Sequence, residues 1–202
     1  LSGANLKDAI LDNSKLYGAD LTGINLENAS FKKVDINGAK FAGAYMIGVS
    51  FEDTDLRNAN LQGIHMPGQN FKGLDLTGIN LENSILKDSN FENSNLTGAN
   101  LDSAYLNSAN FKNADMTNVS LSNTDLGGAD LTNANLDSAK IQNSFFKNAK
   151  MENVIINETI TDSCFEQDLI NRIICKIKLE LNPDSPPYEQ NYEFRDNYSL
   201  RN

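Results

Sequence analysis

A large apolar residue stands at every fifth position from Leu1 to Ile156, thirty-two times without an interruption. We call these residues the centres; they occupy positions 1, 6, 11 and so on to 156. A period of five fits neither an α-helix, with about 3.6 residues per turn, nor a flat strand, whose side chains alternate. The pattern therefore predicts a repeat architecture in which each five-residue unit buries one large side chain.

The residues around each centre predict a short extended segment followed by a corner. Two positions before the centre stands a small residue, as at Ala19 and Ala99, and alternation places it on the same side as the centre. Two positions after the centre the chain has Gly, Asn, Asp or Ser, as at Gly23 and Asn113. These residues accept a positive φ in tight turns. We therefore expect each unit to expose the residue just before its centre.

Segments such as ADLTG (19–23), ANLDS (99–103) and ADLTN (129–133) resemble the pentapeptide-repeat family, whose pattern is A-(D/N)-L-x-x. The resemblance implies an all-β fold, a right-handed quadrilateral β-helix with four units in each coil of twenty residues. It also implies about eight coils, and on this basis residues 1–160 form the β-helix domain.

Two patterns with a period of twenty support coils of that length. Phenylalanine recurs at this period, which predicts an aromatic stack inside one face; the residues are Phe31, Phe51, Phe71, Phe91 and Phe111. The residues that follow them alternate in charge; they are Lys32, Glu52, Lys72, Glu92 and Lys112, with Asp12 ahead of them in the same register. Neighbouring coils lie about 4.8 Å apart, so opposite charges in adjacent coils would attract.

The five-residue period ends after Ile156, and the chain then has the features of a helix. Ser163 and Glu166 have the spacing of a capping box, and Pro183 marks the end, which predicts an amphipathic helix over 161–182. Its apolar stripe comprises Phe165, Leu169, Ile170, Ile173, Ile174 and Ile177. We expect this helix to cap the last coil; a dimer interface or a docking surface for a following domain is the alternative. Residues 183–202, with three prolines, are expected to form a strap or linker.

Composition restricts the partners and the setting. The net charge of −10 argues against direct nucleic-acid binding, and no apolar stretch approaches the length of a membrane span. Cys164 and Cys175 lie about 16 Å apart along one predicted helix, too far for a disulfide between them. Leu1 is already a centre and no initiator Met precedes it, so we expect a fragment of a longer protein, followed by another domain.

The residues offer no catalytic constellation. With a single histidine, His65, neither a histidine-based metal cluster nor a Ser-His-Asp triad can be assembled. The aspartates Asp35, Asp55, Asp75 and Asp115 occupy the ordinary Asp/Asn position of the repeat. We therefore expect no catalytic residue, no metal and no cofactor in these 202 residues.

A binding surface is predicted where the outward positions depart from the repeat. Most residues just before a centre are Asp, Asn or Ser, but one column at a period of twenty is apolar or aromatic, apart from Asp125. With two residues beside it, this column gives the candidate partner-binding residues Tyr45, Ile47, His65, Pro67, Ile85, Tyr105 and Phe145. The alternative is that the C-terminal strap covers them with its own tyrosines.

The predicted function is a non-catalytic protein–protein recognition scaffold with a host or bacterial protein as partner. Its most specific form resembles the substrate-recognition β-helix of bacterial HECT-like E3 ubiquitin-ligase effectors, in which the ligase cysteine lies in another domain. The alternatives are a DNA-mimicking protector of gyrase that confers quinolone resistance, and a free-standing pentapeptide-repeat protein of unknown role. We expect a bacterial protein, secreted into the host cell if it is an effector and otherwise cytoplasmic.

Overall fold

A computed structural model describes residues 1–156, and in this range the chain repeats one four-residue turn at every unit. The carbonyl of the centre accepts a hydrogen bond from the amide three residues later, as from Ala4 to Leu1 at 3.0 Å and from Ala99 to Leu96 at 2.9 Å. The regular structure of residues 1–156 consists of turns and single-residue bridges, without helices or longer strands. None of the described residues belongs to a helix that could cross a membrane.

The corner residue, two positions after each centre, has a positive φ at every corner from Gly3 to Asn153. Positive φ at the third residue of a turn is the requirement of type II turns. Glycine fills twelve of these corners, and most of the others hold Asn or Asp, the residues that accept this region best. The corners predicted from the sequence are therefore confirmed, including the unusual Lys33.

Successive coils are joined by parallel bridges between residues twenty positions apart, from Asn5 with Asn25 to Asn135 with Ile155. The bridging residue is always the one just before a centre, which we call the outward position. The four outward columns begin at Asn5, Ile10, Lys15 and Asp20, and each column defines one face of the coil. Four five-residue units therefore complete one coil.

The core consists of the centres together with the residues two positions before them, which we call the inner positions. Centres from Leu21 to Phe146 are all buried. Phe71, Phe91 and Phe111 stack face to face with ring centroids 4.9 and 4.8 Å apart, which confirms part of the predicted aromatic stack. Phe31 and Phe51 instead meet edge to face at 5.9 Å. The stack is thus regular only in the later coils.

The predicted charge ladder forms as separate pairs. Lys32 pairs with Glu52, and Lys72 pairs with Glu92 at 2.9 Å, each across one coil step. Lys112 lies 3.9 Å from Asp130, a residue outside the column. These side chains are largely exposed, so such pairs contribute little to stability.

The coil-to-coil ladder is interrupted at one place, which we call the seam. It comprises five successive pairings, and only Tyr45 with His65 is a bridge. The four pairings without a bridge are Asp35/Asp55, Lys40/Asn60, Ser50/Asn70 and Asp55/Asp75. Every other pairing from Asn5/Asn25 to Asn135/Ile155 is bridged. At the seam, adjacent coils are therefore held by backbone pairing on one face only.

Two polar side chains enter the seam. The Thr54 hydroxyl donates to the Phe31 carbonyl and accepts from the Val34 amide at 3.1 Å, so it replaces the turn bond between them. The side-chain amide of Gln69 donates to the Val49 carbonyl at 3.0 Å, the acceptor that a regular ladder would offer to the Asn70 amide. Side chains thus take over backbone bonding groups, which need partners when buried.

The predicted helix over 161–182 with its apolar stripe, the strap over 183–202 and the two cysteines lie outside the described residues, as do the last residues of the 1–160 domain.

Candidate functional site

The candidate partner-binding residues lie together on one face. Bridges join Tyr45, His65, Ile85 and Tyr105 in sequence along one outward column, and the column continues through Asp125 to Phe145. The structure therefore brings together the column residues that the sequence predicted. We call this surface the Tyr45 face.

The side chains of the Tyr45 face are partly or largely exposed. Phe145 is 61% exposed, Tyr105 55% and Tyr45 40%. The column residues point outward because the next residue along the chain is a buried centre and side chains alternate between the two sides. Exposed aromatic groups at a regular coil spacing are unusual on a soluble surface and are typical of protein interaction sites.

Tyr45 and His65 form the most ordered part of this face. Their rings are stacked, with centroids 4.6 Å apart and planes inclined by 10°. Nδ1 of His65 is buried and has no hydrogen-bond partner among the described residues. The stack presents a continuous flat surface across two coils, and a partner that covers it would bury both rings.

The neighbourhood of this stack is free of charge and of long side chains. Ile47 and Pro67 lie in the turns that follow Met46 and Met66, and both are half-buried. The corners on either side are glycines in both coils: Gly43, Gly48, Gly63 and Gly68. The segments 43–48 and 63–68 carry no acidic or basic residue, so partner contacts there would be apolar.

Charge returns further along the same face. Lys87 lies 3.9 Å from Asp88 in the turn after Leu86. Asp125 interrupts the apolar column, and its carboxylate accepts the Gly127 amide at 2.9 Å. Tyr105 and Phe145 therefore lie on either side of an acidic group, in contrast to the uncharged surface around Tyr45.

Three exposed apolar residues escaped the sequence prediction because they lie on other columns. Ile10 is 79% exposed and Tyr17 is 76% exposed, both in the first coil, and Ile155 is exposed in the last described coil. The signal was present in the sequence, since Ile10 and Ile155 are apolar residues at outward positions. Each of them stands alone among polar neighbours in its column, where the Tyr45 face has a cluster.

The aspartate column on the opposite face has the electrostatics of structural carboxylates. The pKa of Asp55 is lowered to about 2, chiefly by hydrogen bonds from the Arg57 side chain. Hydrogen bonds from the Thr77 side chain and backbone lower the pKa of Asp75. A general acid needs the opposite shift, so these groups have no tendency to donate protons near neutral pH. No cluster of three potential metal ligands occurs within residues 1–156.

Comparison with known families gives a consistent assignment over nearly the whole repeat. The family model described as a pentapeptide repeat region matches residues 4–91 and 84–161. Comparison with curated proteins gave no match.

Solved structures of several pentapeptide-repeat proteins are similar to this chain. One from the thylakoid lumen of Arabidopsis thaliana is 30% identical, with 57% of this chain and 77% of that chain covered and a TM-score of 0.46. HetL from Nostoc sp. strain PCC 7120, involved in the regulation of heterocyst differentiation, is 21% identical over 80% of this chain and 90% of its own, with a TM-score of 0.31. QnrB1, a plasmid-mediated fluoroquinolone resistance protein, is 16% identical over 86% and 95%, with a TM-score of 0.44.

Proposed function

The chain belongs to the pentapeptide-repeat family, with its right-handed quadrilateral β-helix, and from this premise we propose that it is a non-catalytic scaffold that binds a partner protein through the Tyr45 face. The single observation that supports this proposal most strongly is the bridged column of exposed apolar side chains from Tyr45 to Phe145. A rigid solenoid face is well suited to bind protein, because little conformational entropy is lost on association.

The partner contact is expected to centre on the stacked pair Tyr45 and His65 and to extend to Tyr105. Aromatic residues in an uncharged surround are the residue types that most often dominate binding energy. The remaining outward positions are mainly Asn, Asp and Ser, which would form the polar rim of such an interface.

The test is partner capture by Tyr45→Ala combined with Tyr105→Ala, compared with the wild-type chain. The matched control is Tyr17→Ala, which removes an exposed tyrosine from another column. Proteins that the wild type and the control retain, and the double variant loses by at least about tenfold, would identify the partner; a tenfold loss corresponds to about 1.4 kcal/mol. The thermal midpoint should stay nearly unchanged, because both rings are already exposed in the free chain. Equal capture by all three proteins would contradict the proposal.

The most specific form of this proposal is the substrate-recognition domain of a HECT-like E3 ubiquitin-ligase effector from a bacterium. Its support is the composition of the repeat, which is rich in Asn, Lys and Ile, together with the proline-containing segment after the predicted helix. In this form the solenoid has about eight coils, the helix over 161–182 caps them, a catalytic domain follows, and the protein acts inside the host cell. A full-length reading frame without a ligase cysteine after residue 202 would contradict it.

A second candidate function is DNA mimicry toward a type II topoisomerase. The observation that favours it is the exposed aspartate column Asp35, Asp55, Asp75 and Asp115 on the face opposite the Tyr45 face. The ion pairs of Lys32 and Lys72 with their glutamates weaken the acidic potential of the neighbouring face. A gyrase supercoiling assay separates the two functions: inhibition that survives Tyr45→Ala with Tyr105→Ala would favour mimicry over recognition by the Tyr45 face.

A further inference from the structure

The seam differs from the rest of the solenoid in both hydrogen bonding and burial. In the regular coils, each centre amide donates to the outward carbonyl of the next coil, as from Leu96 to Asp115 at 2.6 Å and from Phe111 to Asp130 at 2.7 Å. The centre amides of Ile36, Phe41, Phe51 and Leu56 have no such acceptor among the described residues. Four consecutive units around the coil, apart from the one at Met46, therefore lack their link to the next coil.

Burial gives an independent indication of the same break. From Ile24 to Ser144, the inner positions are buried in every coil with three exceptions, Thr54, Ala59 and Leu74. All three adjoin the seam. Solvent thus reaches inner positions here that neighbouring coils cover elsewhere, as expected where the coils stack less closely.

One face remains continuous through the seam. On the Tyr45 face, the Met46 amide donates to the His65 carbonyl and the His65 amide donates to the Ala44 carbonyl, both at 2.9 Å. The stacked rings of Tyr45 and His65 reinforce this link. The face opposite, with the column from Lys15 to Ile155, lacks two successive bridges, Asp35/Asp55 and Asp55/Asp75.

We propose that the seam is a hinge at which the solenoid bends, with the Tyr45 face as the hinge line and the opposite face opening and closing. A stack attached along one edge has one soft direction, in which the unattached edges separate while the attached edge keeps its bonds. The proposal goes beyond the proposed function, because the hinge would exist whether or not the Tyr45 face binds a protein. Bending would change the curvature of that face, since Tyr45 and His65 lie on opposite sides of the hinge.

The test measures distances between spin labels on the opening face by double electron–electron resonance. Asp35→Cys with Asp115→Cys places two labels four coil steps apart across the seam. Asp75→Cys with Ile155→Cys is the matched control, because it also spans four steps of the same column and every step is bridged. All four residues are exposed. Both variants carry Cys164→Ser and Cys175→Ser so that only the introduced thiols are labelled.

We expect a distance distribution at least about twofold wider for the seam pair than for the control pair. Adding Tyr45→Ala and His65→Ala should widen the seam distribution further and leave the control distribution unchanged. Equal widths for the two label pairs would overturn the hinge.

Amide hydrogen exchange on the unlabelled chain provides a second measurement that does not depend on the folding of the cysteine variants. The amides of Ile36, Phe41, Phe51 and Leu56 should exchange at least about tenfold faster than those of Leu96, Leu101, Phe111 and Met116, because local opening exposes them without unfolding the coils. Equal protection in the two groups would also overturn the proposal. The partner-capture experiment with the tyrosine variants has its own readout, so a failed hinge and a failed recognition surface remain distinguishable.

Discussion

The seam and the coils that follow it are built from the same five-residue unit but differ at the inner positions. Between residues 84 and 144, eleven of thirteen inner positions hold Ala or Ser, whereas between residues 34 and 79 only three of ten do. Val34, Val49, Gln69 and Leu74 are among the larger residues there. Extra volume in a close-packed core forces the backbone apart, which accounts for the lost bridges. A perfect period of centres therefore does not guarantee a uniform solenoid.

The largest contrast is expected for the phenylalanine stack. Phe91→Ala removes a fully buried ring between Phe71 and Phe111 and should cost about 3–5 kcal/mol of unfolding free energy. Phe51→Ala removes a ring that is 6% exposed and adjoins the seam, so its cost should be smaller by at least about 1 kcal/mol. Urea denaturation of the two variants measures the difference. Equal losses would mean that the core is as tightly packed at the seam as in the later coils.

An intermediate effect is expected when the same methyl groups are added at two inner positions. Ala104→Val enlarges a buried residue in a fully bridged region and should cost about 1–3 kcal/mol. Ala59→Val makes the same change at a half-buried position beside the seam, where room is available, and should cost less than about 1 kcal/mol. Thermal unfolding by circular dichroism compares them. A larger loss for Ala59→Val would show that the seam is not loosely packed.

The smallest effect concerns the carboxylate of Asp55, which lacks both ladder bridges. Its pKa, about 2 in the folded chain, lies below the usual value of 3.8 because the Arg57 side chain donates hydrogen bonds to it. This contribution to stability is complete above about pH 4 and is lost as the pH falls through about 2, because protonation breaks the pair. Arg57→Ala should raise the pKa of Asp55 toward 3.8 and leave that of Asp75 depressed by Thr77.

Carbon-detected NMR titration of the two carboxyl groups checks this expectation. An unchanged pKa of Asp55 in the Arg57→Ala protein would assign the shift to the backbone amide instead. Because the ion pair is exposed, the accompanying change in unfolding free energy should be close to the limit of detection.

Much of the fold and of the candidate site could be predicted because the repeat encodes it locally. Each centre, each inner position and each corner, such as Gly23, is defined within five residues. The twenty-residue period then places Tyr45, His65 and Tyr105 in one column. The stacked geometry of Tyr45 and His65 follows from the coil spacing, which brings neighbouring outward side chains into contact.

The seam could not be predicted in the same way, because it depends on the combined volume of inner residues in neighbouring coils. No single substitution at Val34 or Leu74 breaks the five-residue pattern. The insertion of Thr54 into the turn from Phe31 to Val34 also depends on a contact between residues twenty positions apart. The interrupted phenylalanine stack has the same origin, since Phe51 lies beside the seam.

The twenty-residue coil has a consequence for how such a gene can change in length. Deleting one five-residue unit would preserve every turn and every buried centre, but it would shift each later residue to the adjacent face. Tyr105 and Phe145 would then leave the column that holds Tyr45, while loss of a complete coil would keep them in line. Insertions and deletions that are multiples of twenty are therefore compatible with a surface assembled from several coils, and other multiples of five retain the fold while dispersing that surface.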